Sequence, residues 1–275
     1  MEEQQEYEIK PRASFSTGVA ELMQYRELFY FFTWRDIKVK YKQTVLGFAW
    51  TILQPLLMML LFTLFFSRAM NPAISEIPYP VFVLSGLLPW MLFSSGLSNA
   101  GNSMVANSSM IKKIYFPRLI LPVSAVLVAL FDLLMALPVF AGVLIYYKVA
   151  PGFQALYCVP LAVLLILITT IGAGCLLSAL TLKYRDFRYI LPFLIQILLF
   201  ATPIIYPPEF VEQEWIRQLL MLNPMSGAVS LFRAMFAGQE LSSVHLLLSC
   251  GSALVLFLAG IYYFRKTESY FADLA

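Results

Sequence analysis

Residues 77–111 read IPYPVFVLSGLLPWMLFSSGLSNAGNSMVANSSMI, and none of these 35 side chains carries a charge. A helix needs about 20 consecutive apolar residues to cross a bilayer, because within lipid every backbone polar group must find its partner inside the segment. The stretch is long enough for one crossing with residues to spare. It therefore predicts a transmembrane helix, which we place at about Tyr79–Ala106.

Further charge-free stretches predict further spans, and they are Gln43–Ser67, Val149–Leu182, Tyr189–Pro208 and Leu241–Phe264. Leu119–Tyr147 is also long enough, although it contains Asp132. Hydrophobic residues make up 60% of the chain and charged residues only 13%, about half the charged fraction of a soluble domain. We predict an all-α membrane protein with a cytoplasmic tail and interfacial helix at residues 1–43, six spans at 44–264 and a cytoplasmic tail at 265–275.

Basic residues are divided unequally between the predicted connections. Cytoplasmic loops of membrane proteins carry an excess of Lys and Arg. Of the 19 basic residues, 15 fall before the first span, in the second-to-third and fourth-to-fifth connections, or in the C-terminal tail. The other 4 are Arg68, Lys148, Arg217 and Arg233. We therefore expect both termini in the cytoplasm of a bacterial inner-membrane protein, and we attribute the net charge of +3 to topology rather than to nucleic-acid binding.

The segment before the first span has the composition of an interfacial helix. Gly18–Trp34 is rich in Leu and Phe but is interrupted by charged side chains, and it leads into the basic, aromatic run Trp34–Tyr41. Aromatic and basic residues favour the headgroup region of a bilayer. The alternative is an ordinary helix packed on a soluble partner.

The second half of the second span carries a polar stripe. Its members recur every four residues, which places them on one face of a helix, and they are Ser94, Ser95, Ser98, Asn99, Asn102 and Ser103. Facing lipid, such a stripe would be costly. We predict that it lines a channel, and close packing of small residues against another helix is the alternative.

The connection between the fifth and sixth spans predicts two short external helices. Pro207-Pro208 followed by acidic residues favours a helix start. Met225–Gly238 is apolar but, at 14 residues, too short to span. We expect Glu209–Gly238 to form re-entrant or interfacial helices that close an exit, and the predicted gate residues are Glu209, Trp215, Asn223, Pro224 and Arg233.

The sequence lacks the motifs of several catalytic classes. It has no GxxxxGK[ST] phosphate loop, so ATP is not expected to bind this chain by that means. His245 has no acidic or cysteine cluster nearby, and the three cysteines form no CxxC pair, so no metal site is expected. Asp132 is the one ionisable residue predicted clearly at membrane depth, where hydroxyl groups or water would cap it. These features favour a transport subunit over an enzyme.

Several motifs, taken together, resemble a known family. They are Arg35–Pro55 (RDIKVKYKQTVLGFAWTILQP), Leu87–Phe93 (LLPWMLF), Asn107–Pro122 (NSSMIKKIYFPRLILP), Leu177–Pro192 (LSALTLKYRDFRYILP) and Asn223-Pro224-Met225. The chain resembles the type 2 permeases of ABC transporters that export O-antigen, capsular polysaccharide and teichoic acid. The resemblance extends over about residues 20–265, which is essentially the whole chain.

The resemblance implies a homodimer bound to two cytosolic ATPases, which would hold ATP and Mg²⁺, with no cofactor in this chain. A polymer carried on polyprenyl diphosphate would pass through a channel at the dimer interface. In this family the first cytoplasmic loop and the N-terminal helix contact the ATPase. By position, the ATPase-coupling residues would be Met110, Ile111, Lys112, Lys113, Tyr115, Arg118, Lys183, Arg185, Asp186 and Arg188. A channel-entry element is the alternative for Lys183–Arg188.

A diphosphate needs cations near the cytoplasmic surface. We predict that the pyrophosphate passes a basic run whose members are Arg35, Lys38, Lys40 and Lys42, and anchoring of lipid headgroups is the alternative. Other functions remain open at this point. They are an ion-coupled secondary transporter that uses Asp132, a small-molecule or drug exporter of the same architecture, and a membrane scaffold or an enzyme that acts on lipid-linked sugar.

Overall fold

The computed structural model describes residues 25–42, 47–70, 77–114, 116–236 and 242–271. Every regular element in these ranges is helical, which confirms the predicted all-α class. The α-helices of the described ranges are α1 Arg26–Lys42, α2 Ala49–Met70, α3 Tyr79–Ala106, α4 Ser108–Ile111, α5 Ile120–Tyr147, α6 Ala155–Lys183, α7 Phe187–Phe200, α8 Glu214–Leu222, α9 Pro224–Arg233 and α10 Ser243–Thr267. Single 3-10 turns lie at Pro208–Phe210 and Glu268–Tyr270.

Five of the described helices are long and apolar enough to cross a membrane, namely α2, α3, α5, α6 and α10. The second span was predicted at the bounds that α3 has, and α5 and α10 begin within two residues of their predicted starts. The fifth predicted span, Tyr189–Pro208, falls instead on the 14-residue helix α7 and an irregular segment at residues 201–206. At 1.5 Å per residue α7 is about 21 Å long, shorter than the hydrocarbon core of a bilayer.

The N-terminal helix differs from its predicted bounds. Helix α1 begins at Arg26 and continues to Lys42, so the basic run expected beyond the helix lies within it. Lys and Arg have high helix propensity, and their stems can lie along apolar neighbours while the charge stays in polar surroundings. Residues 18–24 of the predicted helix lie outside the described residues.

Helix α3 forms the centre of the bundle and packs against both α5 and α6. Its close approach to its neighbours depends on small residues. A Cβ at Gly96 would lie 2.9 Å from the Thr170 side chain, and a Cβ on Gly174 would lie 2.7 Å from that of Ala100. Backbones that approach this closely gain van der Waals contact, which is a main source of helix association in lipid.

Helices α2 and α10 lie at the periphery and keep large apolar side chains exposed. Leu64 and Phe65 on α2 are 71% and 72% exposed, and Val255 on α10 is 68% exposed. Exposed apolar surface of this extent is what a lipid-facing helix requires, since lipid tails are as apolar as the side chains themselves. The two helices therefore have the surface expected of membrane spans.

One end of the bundle gathers the basic connections, and we call it the basic end. Phe32 of α1 and Phe116 lie with their ring centroids 5.6 Å apart, and Phe264 and Phe271 are 5.0 Å apart. These four rings share one apolar cluster with Leu182, near the end of α6. The N-terminal helix, both basic connections and the C-terminal segment therefore meet at the same end.

The opposite end is formed by the connections between the other helix termini. The Tyr79 hydroxyl donates to the carbonyl of Ile205 at 3.1 Å, and the Gly152 amide donates to the carbonyl of Met235 at 2.7 Å. Helix α9 is buried over most of its length and packs on α3, α6 and α10. It therefore lies inside the protein rather than along its surface.

The helix start predicted at Pro207-Pro208 is present only as a single 3-10 turn, Pro208–Phe210. The α-helix α8 begins later, at Glu214. Val211 and Gln213 have extended backbones (ψ 105° and 114°), so the chain leaves the helical region before α8. The acidic residues Glu209 and Glu212 therefore precede the α-helix instead of lying in its first turn.

Candidate functional site

A cavity of about 410 Å³ opens between five helices on the side of the bundle nearer the basic end. Its polar lining comes from α1, α2, α3 and α5, namely Lys40, Thr51, Gln54, Ser94, Ser95, Ser98 and Asp132. Trp50 contributes an aromatic wall, and Leu88, Leu92 and Leu133 are among its apolar lining. A volume of this size lies within the usual range for small-molecule sites.

Asp132 is held at the edge of this cavity by two groups of α1. Its carboxylate forms an ion pair with Lys40 and accepts a hydrogen bond from the Tyr41 hydroxyl. The same hydroxyl lies 3.1 Å from that of Thr51 on α2. Burial, and then the hydrogen bond to Asp132, raises the pKa of Tyr41 to about 12, so the phenol keeps its proton. The expected hydroxyl contact to Asp132 is present, and the lysine is an addition that sequence analysis missed.

The predicted polar stripe divides into two groups along α3. Ser94, Ser95 and Ser98 line the cavity. Asn102 and Ser103 instead donate to backbone carbonyls of their own helix, at 2.9 Å and 2.7 Å. The remaining member of the stripe, Asn99, is exposed and is not part of the cavity wall.

The basic residues of α1 have different surroundings. Arg35 pairs with Asp36 at 2.7 Å and donates to the amide oxygen of Asn107 at 3.1 Å. Lys38 lies 5.4 Å from the centroid of the Trp34 ring, a cation–π distance. Lys42 is exposed in the last turn, whereas Lys40 reaches Asp132, twelve residues into α5.

The first basic connection presents both exposed and anchored residues. Lys112, Lys113 and Ile114 are exposed, with Ile114 62% accessible. Ile111 is buried, and the side chain of Met110 is partly buried against the same apolar cluster. Tyr115 lies outside the described residues. The exposed residues of this connection are therefore anchored to the bundle by neighbouring buried apolar side chains.

Arg118 links this connection to the C-terminal segment. Its guanidinium donates to the carbonyl of Glu268, and its amide donates to the Glu268 carboxylate at 3.3 Å. The other carboxylate oxygen of Glu268 pairs with Arg265 at 2.9 Å. Glu268 belongs to no sequence motif. Because it is separated from Arg118 by 150 residues along the chain, sequence analysis did not predict their contact.

All the charged residues of the second basic connection are exposed. Lys183 ends α6, the turn at Arg185 and Asp186 follows, and Arg188 lies in the first turn of α7. All four side chains are accessible. This connection therefore presents a compact charged surface at the same end as Lys112 and Lys113.

Arg233 lies at the opposite end and is only 4% exposed. Its guanidinium donates to the carbonyls of Pro203 at 2.7 Å, Ile204 at 2.6 Å and Phe82 at 3.2 Å, and it lies 3.6 Å from the centroid of the Phe82 ring. Sequence analysis predicted Arg233 at a gate. The structure places it within the core, where it joins α9 to α3 and to the irregular segment after α7.

The other predicted gate residues lie around the start of α9. Asn223 caps this helix by accepting from the Met225 amide at 3.0 Å, and its side-chain amide donates to the carbonyl of Ala201 and the hydroxyl of Thr202. Pro224 occupies the first helical turn. Trp215 on α8 is 64% exposed. Glu209 belongs to the 3-10 turn Pro208–Phe210.

Most of the described helices lie within the range of residues that one protein-family model matches. The family model described as "ABC-2 type transporter" matches residues 27–237, more than half of the chain. The chain belongs to the ABC-2 type transporter family. The matched range of this ABC-2 type transporter includes the cavity and both basic connections.

Three known proteins are similar to this ABC-2 type transporter over most of their lengths. The O-antigen export system permease protein RfbA of Myxococcus xanthus is 31% identical over 257 residues, which cover 93% of this chain and 98% of that protein. RfbA of Klebsiella pneumoniae is 29% identical over 87% of this chain and 92% of its own length. The polysialic acid transport protein KpsM of Escherichia coli is 26% identical, with 85% and 91% covered.

Proposed function

We propose that the chain is the permease subunit of an ATP-driven exporter that moves a polysaccharide carried on polyprenyl diphosphate across the bacterial inner membrane. The similarity to RfbA over 93% of this chain and 98% of the relative carries this proposal, because it leaves no large part of either protein unmatched. The sequence has no phosphate loop of its own. ATP hydrolysis is therefore assigned to a separate cytosolic chain.

The proposed topology has six crossings with both termini in the cytoplasm. In support, α7 leaves the basic end at Phe187, and the segment that follows it contacts Tyr79 and Arg233 at the opposite end. Phe32 and Phe264 share one cluster although the spans separate them in sequence, and an even number of crossings between them would account for this contact. We assign α1 to the cytoplasmic membrane interface, and α8 and α9 to the external side.

The basic end is the proposed docking surface for two ATPases on a homodimer. Its exposed charges are Lys112, Lys113, Lys183, Arg185, Asp186 and Arg188. A conformational change in a bound ATPase would reach the spans through α1, which packs along α5. The cavity and the stripe on α3 would form part of a channel between the two permease subunits, with Trp215, Asn223 and Arg233 near its exit.

The pyrophosphate of the lipid carrier is assigned to Lys38 and Lys42 rather than to the whole basic run. Arg35 already pairs with Asp36, and Lys40 with Asp132, so the charges of these two cations are largely compensated. The Lys40–Asp132 pair disfavours a secondary transporter in which Asp132 exchanges an ion, because a fixed ammonium competes with a coupling cation. Asp132→Asn would abolish uptake or export in an ion-coupled transporter even where the protein folds normally.

Deletion of the chain tests the proposed function directly. Cells without it should lose surface polysaccharide and accumulate lipid-linked polymer inside the cell, and a catalytically inactive ATPase should give the same result. The double variant Lys112→Ala/Lys113→Ala should reduce co-purification with the ATPase, whereas Lys148→Gln at the opposite end should not. Unchanged surface polymer after deletion would contradict the function, and unchanged co-purification would contradict the docking surface.

A further inference from the structure

Asp132 connects three helices through one group of polar contacts, which we call the Asp132 network. Its carboxylate pairs with Lys40 and accepts from the Tyr41 hydroxyl, and both of these residues belong to α1. Because the proton of Tyr41 is used in this way, the hydroxyl of Thr51 on α2 is the donor to the phenol oxygen, at 3.1 Å. Only 15% of the Asp132 side chain is accessible. One carboxylate of α5 thus fixes the end of α1 and, through Tyr41, the start of α2.

The ring of Tyr41 is held by apolar contacts in addition to those of its hydroxyl. Its centroid lies 5.8 Å from that of Phe48, which precedes α2, and 6.0 Å from that of Phe131 on α5. Aromatic pairs at such separations add to the stability gained by burial. The phenol therefore lies between α2 and α5, and it cannot leave the carboxylate without the loss of both kinds of contact.

The Asp132 network specifies the register of α1 as well as its attachment. A shift of α1 by one residue along its axis is about 1.5 Å. Hydrogen bonds need separations of about 2.5–3.2 Å between donor and acceptor, so this shift would break the contacts of Lys40 and Tyr41 with the carboxylate. Apolar contacts tolerate sliding better, because they are not directional. Specifying register is the best-attested function of buried polar groups between helices.

Two further contacts hold α1 to other parts of the bundle. The Phe32 ring packs on Phe116 in the first basic connection, with centroids 5.6 Å apart. Arg35 donates to the amide oxygen of Asn107, the residue that follows α3, at 3.1 Å. These contacts and the Asp132 network attach α1 to the bundle from Phe32 to its last turn. A displacement of α1 is therefore passed on to α3 and α5.

Lys40, Thr51 and Asp132 also belong to the wall of the cavity, so a movement of α1 and α5 changes the shape of the cavity. We propose that Asp132 is a positioning residue that keeps α1 in register with α5 and α2, so that the three helices move as one body when an ATPase acts on the basic end. This inference rests on the proposed function and names the contact that transmits the movement. It requires a charge pair between α1 and α5, whichever helix carries the negative charge.

Exchange of the two charges tests the proposal. Lys40→Glu places two carboxylates together and Asp132→Lys places two ammonium groups together, so each single variant should separate α1 from α5. The amount of polymer exported per ATP hydrolysed should fall at least about fivefold in each, the lower end of typical coupling between distant sites. Co-purification with the ATPase should be unchanged. Lys40→Glu/Asp132→Lys restores the pair and should recover most of the lost export.

Arg217→Glu is the matched control for the single variants. It places two like charges together as well, but within one helix, since Arg217 pairs with Glu214 on α8, and it should export as the parent chain does. Low export by the exchanged chain, or normal export by both single variants, overturns the proposal. Recovered export also contradicts an ion-coupled transporter, because the exchanged chain has no carboxylate at position 132.

A covalent link tests the same contact without charges. In a chain whose three native cysteines are replaced by Ala, Lys40→Cys/Asp132→Cys removes both charges together, a change that buried ion pairs generally tolerate. Export should be low until a short bis-methanethiosulfonate joins the two thiols, and a reductant should lower it again. Neither single-cysteine chain should respond to the reagent.

Two results of the linking experiment overturn the proposal. A linked chain that does not export shows that α1 must separate from α5 during transport, and an unlinked chain that exports normally shows that the contact is not needed. Failure of the proposed function itself would be seen separately, as intact surface polymer in cells without the chain.

Discussion

Arg233 illustrates how a single buried cation can organise one end of the bundle. Its planar guanidinium reaches three carbonyls on two segments, and Phe82 supplies both one of these carbonyls and a ring face. Lysine cannot reproduce this geometry, because its ammonium is a compact point charge without a planar fork. Gly86 completes the arrangement, since a Cβ there would lie 2.7 Å from Nη2 of Arg233.

Arg233→Met should therefore destabilise the protein. Each carbonyl left unpaired in a buried site costs about 1–3 kcal/mol, so we expect a clear fall in the melting temperature of the purified permease in detergent. Arg217→Met is the matched control at the same end, because its exposed pair with Glu214 contributes about 0–1 kcal/mol. Equal melting temperatures for both variants would show that the Arg233 contacts do not support the fold.

At the scale of elements, the packing of α6 against α10 depends on two glycines that face each other. A Cβ added at Gly260 would overlap the carbonyl of Gly172, and a Cβ at Gly172 would overlap the backbone of Phe257. Backbone atoms cannot move aside as a flexible side chain can. The close approach of α6 and α10 therefore requires glycine at both positions.

Gly260→Ala should push α10 away from α6 and lower the yield of folded protein. Overpacking of a core typically costs about 1–3 kcal/mol. Gly251→Ala on the same helix meets no atom within 4 Å, so it should be neutral or slightly stabilising, since Ala favours helix over Gly by up to about 1 kcal/mol. Size-exclusion profiles and thermal melts of the two variants test this, and equal behaviour would contradict it.

The C-terminal turn and the first basic connection form a second joint between elements. Glu268 accepts from Arg118 and pairs with Arg265, and the Arg118 guanidinium lies 5.9 Å from the ring centroid of Phe271. The contacts tie the end of α10 to the connection that carries Lys112 and Lys113. We expect the two segments to move as one unit.

Glu268→Ala should loosen the connection and expose it to protease. Trypsin cleavage after Lys112 or Lys113 should become faster, because cleavage requires local opening of the backbone. Glu214→Ala removes an exposed pair with Arg217 at the opposite end, which likewise joins residues three apart, and should leave this cleavage rate unchanged. Identical digestion of the parent and the Glu268→Ala chain would show that Glu268 does not anchor the connection.

At the scale of the whole molecule, the basic and opposite ends differ in charge and in exposure. The basic end carries both charged connections, whereas the opposite end has Arg233 within the core and Arg217 paired with Glu214. The proposed topology has the basic end in the cytoplasm, because cytoplasmic loops carry an excess of Lys and Arg. Under that proposal α8 lies on the external side of the membrane.

Thiol labelling in intact cells tests this orientation. In a chain without native cysteines, Glu212→Cys should react with an impermeant maleimide, whereas Lys113→Cys should react only after the membrane is opened. Both positions are exposed in the folded protein, so a difference in labelling reports the side of the membrane. Labelling of Lys113→Cys in intact cells would show that the basic end lies outside the cell and would contradict the proposed topology.

Much of the helical architecture could be predicted from charge-free runs, because a bilayer demands long apolar helices. The bounds of α3 follow directly from residues 77–111. The fifth span was predicted too long because apolar composition continues to Tyr206, whereas the hydrogen-bonded helix ends at Phe200. Apolar composition indicates that a segment can lie in a bilayer, but it does not indicate the residue at which the helix ends.

The site could be predicted only in part, since its members come from separate helices. Periodicity identified the face that carries Ser94, Ser95 and Ser98, but not the point at which the cavity ends along α3. The sequence by itself determined the class of the protein and the uneven division of its cations between the connections, because hydropathy and charge are local properties. Only the tertiary structure decided that Lys40 pairs with Asp132 and Arg118 with Glu268, since these contacts depend on how distant helices pack.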